Sequence, residues 1–116
     1  MLEPDKIEIR NQLDADGKPA GGHARVFTHG GLSDALYVRF QDGPLGRGPD
    51  RKPRNGAFVE DLLYVAQKRL EFYNRAGFAC YENDRAIENI KNALGVLADR
   101  TSRREAQGVE GTHEGK

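Results

Sequence analysis

Toward one end of the chain three arginines, Arg100, Arg103 and Arg104, flank Thr101 and Ser102. A guanidinium is a planar fork that grips phosphate oxygens through paired N–H groups and lies flat on nucleobases. A second set is aromatic. Phe72, Tyr73, Phe78 and Tyr81 lie close together in sequence, and ring faces of this kind stack on bases. Forks and rings together are the parts needed to hold a small nucleotide-like anion. Each set also has a plainer account, since cations favour the C-terminal end of a helix dipole and aromatic rings pack the turn of a helical hairpin.

The remaining reactive residue types are poorly placed for chemistry. His23, His29 and His113 lie in loops or the tail and share no metal-ligand spacing. Cys80 has no basic neighbour in sequence, and no serine sits in a nucleophile-elbow context. Glu60 and Asp61 fall where a helix begins, and dipole stabilisation explains them there. The chain is therefore expected to have no catalytic residue and no metal site, and not to be an enzyme.

Glycine and proline separate two kinds of segment. All five prolines and 9 of the 14 glycines lie in residues 1–56, so the first half reads as strands and turns and the second as helix. Ile7 and Ile9 alternate with Glu8 and Arg10, giving a first strand, and Asp14 to Gly22 is turn chemistry. Val26 and Phe27 suggest a second short strand ended by Gly30 and Gly31. Leu36, Val38 and Phe40 give the clearest alternation, so a small antiparallel sheet is expected. The run from Asp42 to Arg54, with three prolines and three glycines, is too irregular for an element and long for a connection. It reads as a mobile linker or a functional loop.

Beyond it Asn55 is placed as an N-cap, and Phe58, Leu62, Val65, Ala66, Leu70 and Tyr73 fall on one face of a helix from about Gly56 to Asn74, closed by Gly77. Ile87, Ile90, Leu94 and Leu97, widened by Ala86, Ala93 and Ala98, mark a second helix from Asn83 or Asp84 to about Arg104. The short connection favours an antiparallel hairpin. Residues after Gln107 have no periodicity and no evident reason to be ordered. The expected architecture is α+β: a β core (1–43), a loop (44–54), a helical hairpin (55–104) and a tail (105–116) in a single domain. In such a hairpin the aromatic set and the arginine set stand at opposite ends, so they meet at one ligand only if a second chain brings them together.

Composition sets limits on this picture. With 116 residues and 12.9 kDa, a compact monomer would expose roughly 6,300 Å² of the roughly 19,000 Å² its unfolded chain offers. That allows one modest core and excludes two full domains. The chain is 37% apolar and 31% charged with a formal net charge of zero, which suits a polar surface whose burial is completed by association. A neutral chain has no global basic field, so any anion must be drawn by a local patch. One cysteine cannot form an internal disulfide, the N-terminal segment lacks signal-peptide features, and no stretch is apolar enough to span a membrane. The reading is a soluble protein of a reducing cytosol.

Five segments carry a resemblance to a known family: QDGPLGR (41–47), NGAFVEDLL (55–63), RLEFY (69–73), FACYEN (78–83) and RTSRREAQGVEGTH (100–113). Together they resemble the phage Thoeris anti-defence sponge family. The resemblance implies a small β core bearing a long antiparallel helical hairpin, assembled as dimers or hexamers. It implies a non-enzymatic protein of the host cytoplasm. Such proteins capture cyclic ADP-ribose isomers, including glycocyclic forms, made by TIR-domain sensors, so that the Thoeris effector is not activated. Some related members also hold cyclic oligonucleotides at a second site. The family's adenine lies between an aromatic of the first helix and an arginine of the second, in a pocket between subunits. Those positions correspond to Phe72 or Tyr73 and to Arg100, with Asn83 as the matching polar contact. Arg104, Thr112 and Asn55 lie in the shared motifs. Tyr81 and Asp84 depart from the family pattern, which has an arginine and a small residue there. No cofactor, metal, membrane or nucleic-acid partner is implied. Two other readings compete with a sponge: an enzyme that degrades cyclic nucleotides, and a nucleic-acid-binding accessory protein using RGPDRKPR (47–54) and RTSRR (100–104).

Overall fold

The computed structural model describes residues 1–28, 30 and 33–116; the expectations that fall on His29 and Gly31 lie outside the described residues. Contacts gather the chain into two compact units, Met1–Ala57 with Gly111–His113, and Phe58–Glu110 with Glu114–Lys116. The architecture is α+β, with an antiparallel sheet in the first unit and a helical hairpin in the second. No helix among the described residues is long and apolar enough to cross a membrane.

The sheet has the order β1 (Ile7–Leu13), β2 (Pro19–Phe27), β3 (Asp34–Arg39). Its register sets Ile9 opposite Ala24 and Ala24 opposite Val38. Because side chains alternate along a strand, Ile7, Ile9, Val26, Leu36 and Val38 share one face. Glu8, Arg10, His23, Arg25, Tyr37 and Arg39 share the other. Val38, 7% exposed, is the one buried apolar side chain among the described residues.

The structure corrects the expected second strand. The turn is confined to 14–18, where the Asp14 carboxylate accepts the N–H groups of Asp16 and Lys18, each at 2.9 Å. β2 then begins at Pro19 and runs through Gly21 and Gly22 of the expected loop. Gly22 adopts φ +112°, and a Cβ there would collide with the Arg10 carbonyl of β1. Glycine at this point serves a close approach within the ladder rather than a turn.

The segment after β3 is held tightly. Phe40 bridges Ala57 in parallel, with Gln41 N–H donating to the Ala57 carbonyl at 3.0 Å and Ala57 N–H to that of Arg39 at 2.7 Å. The 42–54 loop is folded, with a single 3-10 turn at Gly48–Asp50, and Lys52 N–H donates to the Leu45 carbonyl at 2.7 Å.

Helix α1 spans Val59–Tyr73, beginning later than expected, and Asn55 does not cap it. The Asp61 carboxylate accepts the Phe58 N–H at 2.8 Å and closes the first turn instead. The expected apolar face is also rotated. Val65 is 65% exposed, and Ala66 and Tyr73 are exposed too, whereas solvent is lost along Leu63, Gln67, Leu70 and Asn74. A turn at Asn74–Phe78 follows, with Gly77 in the left-handed region as its spacing predicts. Helix α2 then runs unbroken over Tyr81–Ala106. Its stripe of Ile87, Ile90, Leu94 and Leu97 is half-buried as expected, although Ala98 is exposed.

The tail is ordered, contrary to expectation, and its first residues still belong to α2. Gly108 N–H donates to the Glu105 carbonyl and Val109 N–H to that of Arg104, both at 3.0 Å, with Gly108 at φ +74°. This pairing is a Schellman closure, whose sequence mark is a glycine just past the helix. Further on, Gly46 N–H donates to the Gly111 carbonyl at 2.7 Å.

Two glycines test these packing statements. A Cβ on Gly56 would lie 2.6 Å from the Phe40 carbonyl, whereas one on Gly95 in α2 meets nothing within 4 Å. Gly56→Ala is expected to cost about 1–3 kcal/mol through overpacking, and Gly95→Ala to stabilise by about 0.5–1 kcal/mol. Thermal melts moving in opposite directions support the packing; a neutral Gly56→Ala contradicts it.

Candidate functional site

In the hairpin unit an aromatic shelf stands at the end of α1. Phe72 and Tyr73 are 43% and 39% exposed, with ring centroids 6.1 Å apart and planes tilted by 53°. The Arg69 guanidinium carbon lies 4.9 Å from the Phe72 ring and 5.0 Å from that of Tyr73. Sequence reasoning did not single out Arg69, but its spacing was the available signal. Residues three and four apart are neighbours on a helix surface, so one guanidinium can serve both rings.

Asn83 sits at the start of α2, beside the turn. Its amide nitrogen donates to Asn74 Oδ1 at 3.1 Å and to the Phe78 carbonyl at 3.0 Å. Asn74 in turn donates to Asp84 Oδ1 at 3.0 Å, which gives Asp84, one of the departures from the family pattern, a local structural partner. With both amide hydrogens directed to the turn, Asn83 Oδ1 has no partner among the described residues and can accept from a ligand amine.

At the other end of α2, Arg100 Nε donates to the Lys116 carbonyl at 2.7 Å. Its two terminal nitrogens have no partner among the described residues, so half of the fork is available. Arg104 differs: it is 6% exposed, and its Nη2 donates to the Val109 carbonyl at 3.1 Å, which ties it to the closure of the helix. Seventeen residues separate Asn83 from Arg100 on one continuous helix. At 1.5 Å per residue that is about 26 Å. Asn83 is thus bonded to Asn74, the residue that follows the shelf, and Arg100 is not brought to it within one chain.

In the sheet unit Asn55 acts as a clamp. Its Oδ1 accepts the Asp42 N–H and its Nδ2 donates to the Asp42 carbonyl, both at 2.9 Å. Its own N–H donates to Gln41 Oε1 at 2.8 Å, and its carbonyl accepts Arg39 Nη2 at 2.7 Å. Thr112 is half-buried in the short tail segment that Gly111 anchors in this unit.

A cavity of about 380 Å³, unmarked in the sequence reading, is lined by Gln12, His23, Tyr37, Arg39, Asp42 and Asn55. His23 stacks on Tyr37 with centroids 5.7 Å apart, and its Nε2 meets Glu8 Oε1 at 2.9 Å. That hydrogen bond, above all, holds the Glu8 carboxyl below its ordinary value, with Arg10 adding to it. The signal that could have found this cavity was cross-strand register, which puts His23, Tyr37 and Arg39 on one face. Among the described residues no group of three or more His, Cys, Asp or Glu side chains could hold a metal ion.

A small antiparallel sheet, a helical hairpin and an exposed shelf of rings beneath a guanidinium describe an α+β protein. No protein-family model matches the chain. It is 38% identical over 95 residues, 81% of its length, to the curated "Thoeris anti-defense 1" protein of Bacillus phage SBSphiJ7. On that similarity the chain belongs to the Thoeris anti-defence family. It spans 64% of that relative's length.

The shelf also makes a prediction about acid. Glu71, beside Phe72 on α1, accepts from Gln67 at 3.1 Å and from Lys68 at 3.2 Å, and these bonds hold its carboxyl below the ordinary value of 4.5. A lowered folded value stabilises the hairpin above about pH 4.5, and that contribution is lost as pH falls through the lowered value. Melts between about pH 3 and pH 7 should show a shallower acid slope for Glu71→Gln than for the unaltered chain. Equal slopes would contradict the assignment.

Proposed function

We propose that this protein is a phage inhibitor of Thoeris immunity, acting in the host cytoplasm by binding and sequestering a cyclic ADP-ribose-type nucleotide without cleaving it. Family membership supports the anti-Thoeris role. The observation that carries the sequestration reading is the pairing of an exposed ring shelf with a distant, half-available arginine. In this reading the adenine stacks on Phe72 or Tyr73 of one copy and beneath Arg100 of another. Asn83 Oδ1 accepts the adenine amine, and the free nitrogens of Arg100 reach phosphate oxygens. Arg104 supports the site by tying down the closure of the helix that carries Arg100.

A sponge needs capture, not chemistry. Holding a signal at about 1 nM requires roughly −12 kcal/mol, and the useful property is slow release from a preorganised pocket. Nothing in the proposed contacts asks for a nucleophile or a general base. The neutral chain places its cations locally, at Arg69 and Arg100, where a small anion can meet them.

The direct experiment incubates the protein with the cyclic signal, removes unbound nucleotide, heat-denatures the complex and applies the supernatant to the Thoeris effector. Release of active signal is the expected result, and its destruction would instead show a degrading enzyme. Arg100→Ala should weaken capture by roughly 30-fold or more, about 2 kcal/mol, as for a central anchor, without changing the assembly's mass. Unchanged affinity in that variant would contradict the assigned role.

A further inference from the structure

We propose that the outer edge of β1 is an interface between two copies of this chain, paired antiparallel about a two-fold axis at Ile9. The inference rests on the sheet alone and is independent of the ligand reading. β1 is an edge strand of the sheet. In an antiparallel ladder the N–H and C=O of one residue point to the same side, and successive residues alternate sides. Phe40 N–H donates to the Gly22 carbonyl on the β3 side of β2. Gly22, Ala24 and Val26 therefore bond toward β3, while His23 and Arg25 bond toward their β1 partners Arg10 and Glu8. That leaves the main-chain groups of Ile9 and Asn11 facing outward. Among the described residues no backbone bond reaches them beyond the ladder.

Open edges are normally blunted by proline, charged side chains, bulges or a covering segment. β1 reads IEIRNQL, with no proline or lysine; its register shifts only past Asn11, its two charges are of opposite sign and so do not repel an antiparallel copy, and Ile9 is 62% exposed. What fits this edge is written in the strand itself. A two-fold axis at Ile9 makes Ile9 and its symmetry mate a hydrogen-bonded pair and lets Asn11 N–H donate to the carbonyl of the other copy's Ile7. The Ile7 N–H is already engaged by Pro4, so the pairing ends there.

The same axis sets Glu8 opposite Arg10 of the second copy, twice by symmetry. Those positions are non-hydrogen-bonded pairs, where facing side chains come closest. Within one chain Arg10 Nε lies 3.4 Å from Glu8 Oε1, which also meets His23 Nε2 at 2.9 Å. With 67% of the Arg10 side chain and 31% of that of Glu8 exposed, the long Arg10–Glu8 contact can be exchanged for one with the second copy while His23 keeps its bond. Moving the axis to Asn11 would set Arg10 opposite Gln12 and lose both charge pairs. With the axis at Ile9, the apolar face of Ile7, Ile9 and Val26 continues from one copy into the next. Charge complementarity and register both favour a second copy over any other strand.

A charge-exchange experiment on the full chain tests this. E8R and R10E chains each carry like charges at both opposed positions, so either variant alone should fall to half the mass of the unaltered assembly or less by native mass spectrometry. Mixed in equal amounts, an arginine-bearing edge meets a glutamate-bearing edge at every opposed position, and the original mass should return. Ile9→Pro removes only an outward N–H, leaving the three-stranded ladder intact, and should also halve the mass at unchanged circular dichroism. A monomeric unaltered chain, retention of mass in Ile9→Pro, or failure of two folded charge variants to restore it on mixing would each overturn the interface.

Discussion

The fixed rise of a helix is the constraint on which the rest depends. α2 runs without a break from Tyr81 to Ala106, so Asn83 and Arg100, which it carries toward its two ends, are held apart by about 26 Å. A small cyclic nucleotide cannot bridge that span. The shelf of Phe72 and Tyr73 with Asn83, and the half-available fork of Arg100, lie too far apart in one chain for the proposed capture, which asks a second copy to bring unlike ends together. The proposed capture follows from this separation more than from any single contact.

The scarcity of buried apolar side chains points the same way. Val38 is the one apolar residue buried among the described residues, while Val65, Phe72, Tyr73 and Val96 remain open on the hairpin. Polar groups do much of the local fixing instead. Asn55 clamps Asp42, Asn83 closes the interhelical turn, and Arg104 is drawn inward by the Val109 carbonyl. Three residues that a motif would mark as ligand contacts thus also have structural work, and their loss would disturb the frame as well as the site.

Much of this was legible in the sequence where side-chain period decides the outcome. The alternation of Leu36 and Val38 marks β3, and the stripe of Ile87, Ile90, Leu94 and Leu97 marks α2. What escaped depends on contacts distant in sequence. An asparagine ahead of an apolar run looks like an N-cap, but the bridge from Phe40 to Ala57 holds that stretch in the sheet unit and delays the helix to Val59. Gly22 looks like turn chemistry, yet it is needed for a close pass by Arg10. The ordered tail follows from Gly108 closing α2, a local signal obscured by the glycine-rich composition around it. For the candidate site, the rings and Arg100 were evident from residue type. Arg69 over the rings needed helix geometry, and the His23–Tyr37 cavity needed the strand register.

The claim that one pocket is shared between copies is tested most directly by mixing two defective chains. Arg100→Ala lacks the fork, and a Phe72→Ala, Tyr73→Ala double variant lacks the shelf, so neither should hold the cyclic nucleotide alone. Calorimetry on their equimolar mixture should recover binding at about a quarter of the sites of the unaltered protein, because random exchange makes half of the pairs mixed and each mixed pair holds one complete pocket of two. A mixture that assembles with normal mass but binds no nucleotide would contradict the account.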